Sequence, residues 1–263
     1  MQTEKVIEHI VNWLKDYAKN AKMDGFVLGI SGGIDSAVVS TLCAKTGMPT
    51  LCVEMPIHQA PNQVSRGREH INFLKEKFAN VSNTEVNLTS VFEQFNNEVP
   101  QTTENNNLDL SLANTRARLR MTTLYYFAGL HRYLVAGTGN KIEDFGVGFF
   151  TKYGDGGVDL SPISDLMKSE VYNLGRALNI PKSILNAAPT DGLFGDERSD
   201  EDQLGASYDE LEWAMKITES GKSTSEFSKR EKTVFDIYTR LNRANRHKID
   251  PIPVCKIPED LKS

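Results

Sequence analysis

Hydrophobic residues follow two alternating patterns along the chain. Apolar residues at helical spacing predict an amphipathic helix over Thr3–Asn20, and the apolar run Gly25–Ser31 predicts a buried strand. The same criteria predict strands at Thr50–Met55, Val86–Leu88 and Tyr133–Ala136, and helices at Ile34–Lys45, Asn62–Phe78, Ser111–His131, Asp165–Asn179, Tyr208–Thr218 and Glu231–Asn245. Strands that alternate with helices are typical of βαβ units. We therefore expect an α/β fold, with a doubly wound, mostly parallel sheet and helices on both faces.

Three polar segments are predicted to lie outside this regular structure. Thr102–Asn107 is low in complexity and predicts a loop, and the acidic, glycine-containing Asp191–Gly205 predicts a mobile surface loop. The proline-rich tail from Asp250 onward is expected to be extended. Because no internal repeat and no clean linker interrupts the pattern, we expect a single domain over residues 1–263.

Composition narrows the class of protein. The 263 residues carry a net charge of −5, whereas a dedicated nucleic-acid binder usually has a basic domain, so we expect no nucleic-acid partner. No apolar run approaches the roughly 18 residues of a membrane span, and the first 21 residues lack the layout of a signal peptide. The three cysteines form no CxxC pair, which argues against a disulfide framework or a cysteine zinc site. We expect a cytoplasmic protein without a membrane partner.

The segment Gly29–Ser36 (GISGGIDS) lies between a predicted strand and a predicted helix, where α/β sheets place their ligands. It is neither a Walker A loop nor a GxGxxG fingerprint. Gly32 and Gly33 allow close approach of the backbone, and Ser31 and Ser36 offer hydroxyl donors. Free N–H groups at a helix start favour an anion. The segment therefore predicts a phosphate site.

Acidic residues near this loop indicate a cation. A carboxylate at Asp35 repels a phosphate unless a cation lies between them, and Mg²⁺ is the simplest such cation. The segment Gly137–Glu143 (GTGNKIE) follows the last predicted strand, where Thr138 can donate to a nucleotide and Glu143 can complete a cation site. The alternatives are that Asp35 is an ordinary first-turn residue of the helix, which the SGGxDS string disfavours, and that Glu143 is a solvated acid after a glycine turn. Gly148–Asp159 (GFFTKYGDGGVD) indicates a binding loop, with a plain surface turn as the alternative.

Several motifs in order identify a family. GISGGIDS resembles the pyrophosphate loop of the ATP pyrophosphatases of the adenine nucleotide α-hydrolase type, and with GTGNKIE and FFTKYGDGG it resembles the ammonia-dependent NAD synthetases. Further agreements are NTRARLRM at Asn114–Met121, LSPISDLMK at Leu160–Lys168, APTDGL at Ala188–Leu193, DEDQLGASYDEL at Asp200–Leu211 and RANRHK at Arg243–Lys248. Many bacterial ammonia-dependent members have GTDHAAE where this chain has GTGNKIE, and one residue fewer before the KYGDGG-like loop. The GTGN form is also seen in glutamine-dependent members. This departure leaves open whether Glu143 or Asp144 completes the metal site.

The resemblance implies a Rossmann-like fold and a ligase activity. Members of this family amidate deamido-NAD (nicotinic acid adenine dinucleotide) to NAD with ammonia, ATP and Mg²⁺, through an adenylated intermediate that releases AMP and pyrophosphate. This reaction is the last step of NAD biosynthesis. The resemblance also implies a homodimer. The apolar stripe Leu112, Leu119, Leu124 and Phe127 is either part of that interface or part of the core. We expect no glutaminase domain, so the nitrogen donor is free ammonia or ammonia from a separate subunit.

The family's functional residues carry over to matching positions of this chain. Asp35 and Lys168 would act in catalysis, and Asp35 and Glu143 would bind Mg²⁺. The residues assigned to ATP are Gly29, Ile30, Ser31, Gly32, Gly33, Ile34, Asp35, Ser36, Thr138, Lys168 and Thr190, and those assigned to deamido-NAD are Arg118, Lys152, Asp159, His247 and Lys248. Without the resemblance, Lys168 and Arg118 are solvated helix cations, and His247 is structural or solvated.

Two other functions are open to a protein with this loop. One is another ATP pyrophosphatase, such as a tRNA thiolation or lysidine enzyme, which we would expect to show paired cysteines or a basic face. The other is a nucleotide-binding regulatory protein that has lost catalysis. The presence of Asp35, Glu143 and Lys168 argues against the second.

Overall fold

A parallel sheet forms the centre of the fold. The computed structural model describes residues 1–59, 61–100, 107–190, 199–221 and 226–262. The strands are β1 (Gly25–Gly29), β2 (Thr50–Glu54), β3 (Val81–Glu85) and β4 (Tyr133–Val135), in the spatial order β3-β2-β1-β4. All three pairings are parallel, and Val27 of β1 lies beside Leu51 and Val135. The predicted α/β fold with a parallel sheet is confirmed.

Helices connect the strands and extend beyond them. Their bounds are α1 Thr3–Asn20, α2 Ile34–Lys45, α3 Pro61–Lys77, α4 Thr89–Glu98, α5 Leu108–His131, α6 Lys168–Ala177, α7 Lys182–Leu185, α8 Asp200–Leu204, α9 Tyr208–Ser220 and α10 Lys229–Ile249, with a π-helical turn at Ile142–Val147 and a 3₁₀ turn at Glu259–Leu261. Among the described residues, none of the helices has the combined length and hydropathy that a bilayer crossing requires.

Both faces of the sheet are covered by helices. Successive side chains of a strand point to opposite faces, so Phe26 and Leu28 join one core while Val27 joins the other. The first core takes residues from α1, α2 and α6, and the second from α4 and α5. The doubly wound arrangement is therefore confirmed. The stripe on α5 is partly buried and packs against the second core; its residues are Leu112, Leu119, Leu124 and Phe127.

The third strand was predicted in the wrong place. It spans Val81–Glu85, not Val86–Leu88. It lies at the edge of the sheet, and Val81 is its only buried residue, so its hydrophobic signal is weak. Helix α4, which directly follows this region, was not predicted from the sequence.

Two predicted segments differ from the structure near the site. Residues 191–198 of the predicted acidic loop lie outside the described residues, but Ser199 caps a short helix over Asp200–Leu204, so the loop prediction is wrong there. The predicted helix Asp165–Asn179 begins only at Lys168. The Glu170 carboxylate accepts a hydrogen bond from the Met167 N–H and so caps the helix at this point. Residues 101–106 of the predicted polar loop also lie outside the described residues.

Candidate active site

The glycine-rich loop joins the end of β1 to the start of α2, and its two serines hold its shape. The Ser31 and Ser36 hydroxyl oxygens lie 3.0 Å apart, and the Gly33 N–H donates to Ser31 Oγ at 3.1 Å. Gly32 has a φ of +78°, in the left-handed region that glycine adopts without strain. The loop therefore brings backbone donors and two hydroxyl groups to the first turn of α2, which is the arrangement of an anion site.

A buried lysine links two carboxylates beside this loop. Lys168 Nζ donates to Asp35 Oδ2 at 2.6 Å and to Glu143 Oε1 at 3.0 Å, and the lysine is only 3% exposed. Burial by itself lowers the pKa of Lys168, but the two carboxylates outweigh this effect and raise the pKa above its usual value. The ammonium group therefore stays charged, and the reading of Lys168 as a solvated helix residue is wrong.

Three further residues, to which the sequence assigned no role, hold the two carboxylates in place. Tyr208 Oη donates to Glu143 Oε1 at 2.6 Å and to an oxygen of the buried Asp200 at 3.3 Å. Asn140 Nδ2 donates to Asp35 Oδ1 at 3.3 Å. Tyr208 and Asp200 lie in the DEDQLGASYDEL motif, and Asn140 lies in GTGNKIE. Those motif matches were the only sequence signal for these contacts.

Glu143 and Asp144 point to different partners. Glu143 faces Lys168, whereas Asp144 accepts a hydrogen bond from Ser164 Oγ at 2.6 Å and packs against Gly139. Burial raises the pKa of Asp144 to about 7. Both acids lie on the π-helical turn, and such a turn takes up one extra residue within a helix. Of the two acids, Glu143 is the one that shares the Lys168 ammonium with Asp35.

A cavity of about 290 Å³ opens in front of the loop and the ion pairs. All of the residues assigned to ATP line it except Gly32, together with Glu143. Those lining residues are Gly29, Ile30, Ser31, Gly33, Ile34, Asp35, Ser36, Thr138, Lys168 and Thr190. Apolar side chains such as Val53, Met55 and Leu124 line the same cavity, so its lining is partly polar and partly apolar.

The residues assigned to deamido-NAD lie outside this cavity lining, on the C-terminal helix and nearby segments. Lys152 Nζ donates to the His247 carbonyl at 2.6 Å, and Arg118 Nε donates to the Lys152 carbonyl at 3.3 Å. Lys248 Nζ donates to the carbonyl of Phe150 at 2.7 Å. Four of the five assigned residues therefore form one basic cluster, in which Arg118 of α5 and the end of α10 meet the loop that carries Lys152. The same loop carries residues that line the cavity.

Asp159, the fifth of these residues, lies beside α5. Its carboxylate accepts hydrogen bonds from Tyr125 Oη at 3.0 Å and from the Val135 N–H at 2.8 Å. Tyr125 and Arg118 are seven residues apart on α5, so they lie on one face of that helix. The structure thus places Asp159 along the face of α5 that carries Arg118.

The two carboxylates Asp35 and Glu143 were predicted to hold Mg²⁺. Within the described part of the chain, no group of three or more His, Cys, Asp or Glu side chains is arranged to hold a metal ion alone. Mg²⁺ is usually held by one or two carboxylates together with substrate phosphates. Asp35 and Glu143 already converge on one cation, the Lys168 ammonium, so this pair fits a Mg²⁺ ion shared with a nucleotide.

Comparisons with known proteins place the chain in a family. A family model described as NAD synthase matches residues 6–251. The NH(3)-dependent NAD(+) synthetase of Carboxydothermus hydrogenoformans is 39% identical over 246 residues, which cover 93% of this chain and 94% of that protein.

Solved structures agree with this result. The NMN synthetase from Francisella tularensis matches with a TM-score of 0.84 and 31% identity, over 98% of this chain and 100% of that chain. The NH3-dependent NAD synthetase from Campylobacter jejuni matches with a TM-score of 0.78 and 26% identity, over 97% of this chain and 100% of that chain. The chain belongs to the NAD synthase family.

Proposed function

We propose that the chain is a ligase that amidates the nicotinate carboxylate of deamido-NAD with ammonia. It consumes ATP and releases AMP and pyrophosphate. One observation carries the proposal: Lys168 joins Asp35 and Glu143 directly beside a phosphate-type loop, in a cavity that is also lined by apolar side chains. This places the charges needed for phosphate chemistry within reach of a bound nucleotide.

The reaction divides into two transfers. A carboxylate oxygen of the substrate attacks the α-phosphorus of ATP, the bond to the bridging oxygen breaks, and its electron pair leaves with pyrophosphate. Ammonia then attacks the acyl carbon, AMP leaves with the bond pair, and the surplus proton passes to solvent. The first transfer is needed because AMP is a far better leaving group than hydroxide.

The residues of the cavity support the first transfer by positioning and by charge. The Ser31 and Ser36 hydroxyls and the N–H groups of the loop would hold the phosphates. Lys168 supplies a permanent positive charge where negative charge gathers as pyrophosphate leaves. Thr138 and Thr190 line the same cavity and would contact ATP.

Asp35 and Glu143 would hold Mg²⁺. When bound, the ion would neutralise phosphate charge and make pyrophosphate a better leaving group. Asn140 and Tyr208 keep the two carboxylates oriented through their hydrogen bonds. Asp144 also lines the cavity, but its carboxylate accepts a hydrogen bond from Ser164 rather than from Lys168.

The second substrate would bind at the basic cluster beside the cavity. The cluster comprises Arg118, Lys152, His247 and Lys248, and Asp159 lies along α5, the helix that carries Arg118. Cations suit the phosphates of a dinucleotide.

We further propose that the chain folds as a single domain and forms a homodimer in the cytoplasm. Tyr126 and Leu130 lie one turn apart on α5 and are 64% and 60% exposed, which provides an apolar surface for a second copy. Light scattering would give the mass of two chains. The variant Leu130→Glu should reduce it to the mass of one.

A second candidate acceptor is the mononucleotide form of the substrate, which lacks the adenylate half. The observation that favours it is the match to the Francisella tularensis NMN synthetase over almost the whole chain, at a TM-score of 0.84. Both acceptors present the same nicotinate carboxylate, so the cavity beside the glycine-rich loop serves either. Only the region beyond it would discriminate between them.

The test is a product assay with purified protein, ATP and Mg²⁺. Deamido-NAD and nicotinate mononucleotide are each supplied with ammonium chloride or with glutamine, and AMP, pyrophosphate and amide product are measured together. We expect equal amounts of all three with ammonium and deamido-NAD. The variant Asp35→Asn should lose this activity, while Asp24→Asn, which alters an exposed ion pair with Arg132, should keep it. Faster turnover of the mononucleotide would favour the second candidate, and ADP in place of AMP would reject both.

A further inference from the structure

Helix α3 begins in close contact with the glycine-rich loop. A Cβ atom at Gly32 would lie 2.5 Å from the Gln63 carbonyl oxygen and 3.1 Å from the Gly67 nitrogen. Only a residue without a side chain allows this approach of two backbones. The first two turns of α3 are therefore held against the turn of the loop, and the side chains they carry are brought to its edge.

Arg66 is the cation that this packing delivers to the loop. Its Nε donates to the Gly32 carbonyl oxygen at 3.2 Å, and the residue is partly buried and lines the cavity. Across the described ranges, that bond is the only hydrogen bond of the guanidinium group, so both Nη groups keep their donors available. One edge of the guanidinium is anchored while the other is not.

The other described cations of the cavity are already engaged. Lys168 is bound by Asp35 and Glu143, and Arg120 donates to a main-chain carbonyl and to a glutamine side chain. The Lys168 charge is thus compensated by two carboxylates before any ligand arrives. A triphosphate brings several negative charges, and Arg66 offers an uncompensated positive charge to meet them.

We propose that Arg66 binds the β- and γ-phosphates of ATP and holds pyrophosphate as it leaves. This inference rests on the proposed function, because it places the leaving group of that reaction. The guanidinium is planar and presents parallel N–H donors that match two phosphate oxygens. The anchor on Gly32 restricts its rotamers, so less side-chain entropy is lost when phosphate binds.

Arg66→Gln separates this role from support of the loop. The glutamine Nε2 stands at the same position along the side chain as the arginine Nε, so it retains a donor for the Gly32 carbonyl. The charge and the Nη donors are removed. Lys75→Gln is the matched control, since Lys75 lies on the same helix, is exposed, donates to the uncharged Asn83 side chain and does not line the cavity.

Calorimetry would measure the affinity of each variant for pyrophosphate, ATP and AMP in the presence of Mg²⁺. Removing hydrogen bonds to a charged group should weaken pyrophosphate and ATP by about 10- to 100-fold in Arg66→Gln. Its affinity for AMP should be unchanged, and Lys75→Gln should match the wild type for all three. Arg66→Lys, which keeps the charge, should retain part of the pyrophosphate affinity and provides a second variant if the glutamine form folds poorly.

Two results would overturn the inference. Wild-type affinity of Arg66→Gln for pyrophosphate would show that the guanidinium does not touch it. An equal loss for pyrophosphate, ATP and AMP would show that Arg66 only supports the loop. Products assayed on the same wild-type preparation test the proposed function separately. Formation of ADP and phosphate would reject that function, while the pyrophosphate affinities would still decide the role of Arg66.

Discussion

Replacing Lys168 by methionine removes the charge that holds the centre of the site together. The side chains keep similar lengths, so the main change is electrostatic. Asp35 and Glu143 lose the ammonium that both contact, and two carboxylates are left close together with their side chains only 17% and 15% exposed. We expect a less stable protein that no longer forms AMP from ATP.

The size of the effect follows from burial. Removing one partner of a buried ion pair costs about 3–5 kcal/mol, because an uncompensated charge remains. Protonation of one carboxylate limits the loss, so the lower end, about 3 kcal/mol, is expected for Lys168→Met. For a chain of this size, each kcal/mol shifts the melting temperature by about 2–4 °C, which gives a drop of about 6–12 °C.

Thermal denaturation followed by circular dichroism would measure this drop at neutral pH. Lys182→Met provides the control, since Lys182 is exposed on α7 and its loss should change stability by no more than about 0.5 kcal/mol. The double variant Asp35→Asn with Lys168→Met should recover part of the stability, because one of the two facing charges is gone. If Lys168→Met had the same melting temperature as the wild type, or still formed AMP from ATP, the electrostatic account of the site would be wrong.

Three further outcomes are expected. A Cβ at Gly139 would lie 2.1 Å from an Asp144 oxygen, so Gly139→Ala should lower the free energy of unfolding by about 1–3 kcal/mol. A Cβ at Gly129 meets no atom within 4 Å, so Gly129→Ala should not destabilise the protein. Urea denaturation of the two variants measures the difference. Burial lowers the pKa of His70 to about 4, and an unfolded histidine titrates near 6.5. The unfolded state thus takes up the proton first, so stability should be complete above pH 6.5 and fall by about 3 kcal/mol toward pH 4, and His70→Phe should flatten this slope. Tyr208→Phe leaves two buried carboxylates without its hydroxyl and should lower the free energy of unfolding by about 1–3 kcal/mol; unchanged stability would mean that these hydrogen bonds are replaced by water.

Local patterns in the sequence were sufficient for elements that are amphipathic or fully buried. Helix α1 spans Thr3–Asn20 as predicted, because one apolar stripe faces the core, and α2 spans Ile34–Lys45 between two glycine-containing turns. Strand β3 and helix α4 were not found correctly. Strand β3 has one buried residue, so its hydrophobic period is weak. Helix α4 is mostly exposed but does carry apolar residues at helical spacing, at Val91, Phe92 and Phe95, and that pattern was overlooked.

The site could be predicted in its parts but not in its contacts. The motif GISGGIDS gave the position of Asp35, the segment GTGNKIE gave Glu143, and the resemblance gave Lys168. The distance from Asp35 to Lys168 depends on the packing of segments that are 133 residues apart in sequence. The hydroxyl of Tyr208 and the cation of Arg66 belong to ordinary helix positions, and only the tertiary fold brings them to the site.

The central claim is that the substrate carboxylate attacks the α-phosphorus of ATP in this cavity. Deamido-NAD labelled with ¹⁸O in both carboxylate oxygens would be converted with ATP, Mg²⁺ and ammonium, and the products analysed by mass spectrometry. The account predicts one ¹⁸O atom in AMP, one retained in the amide of NAD and none in pyrophosphate. Label in inorganic phosphate, or AMP without label, would contradict it.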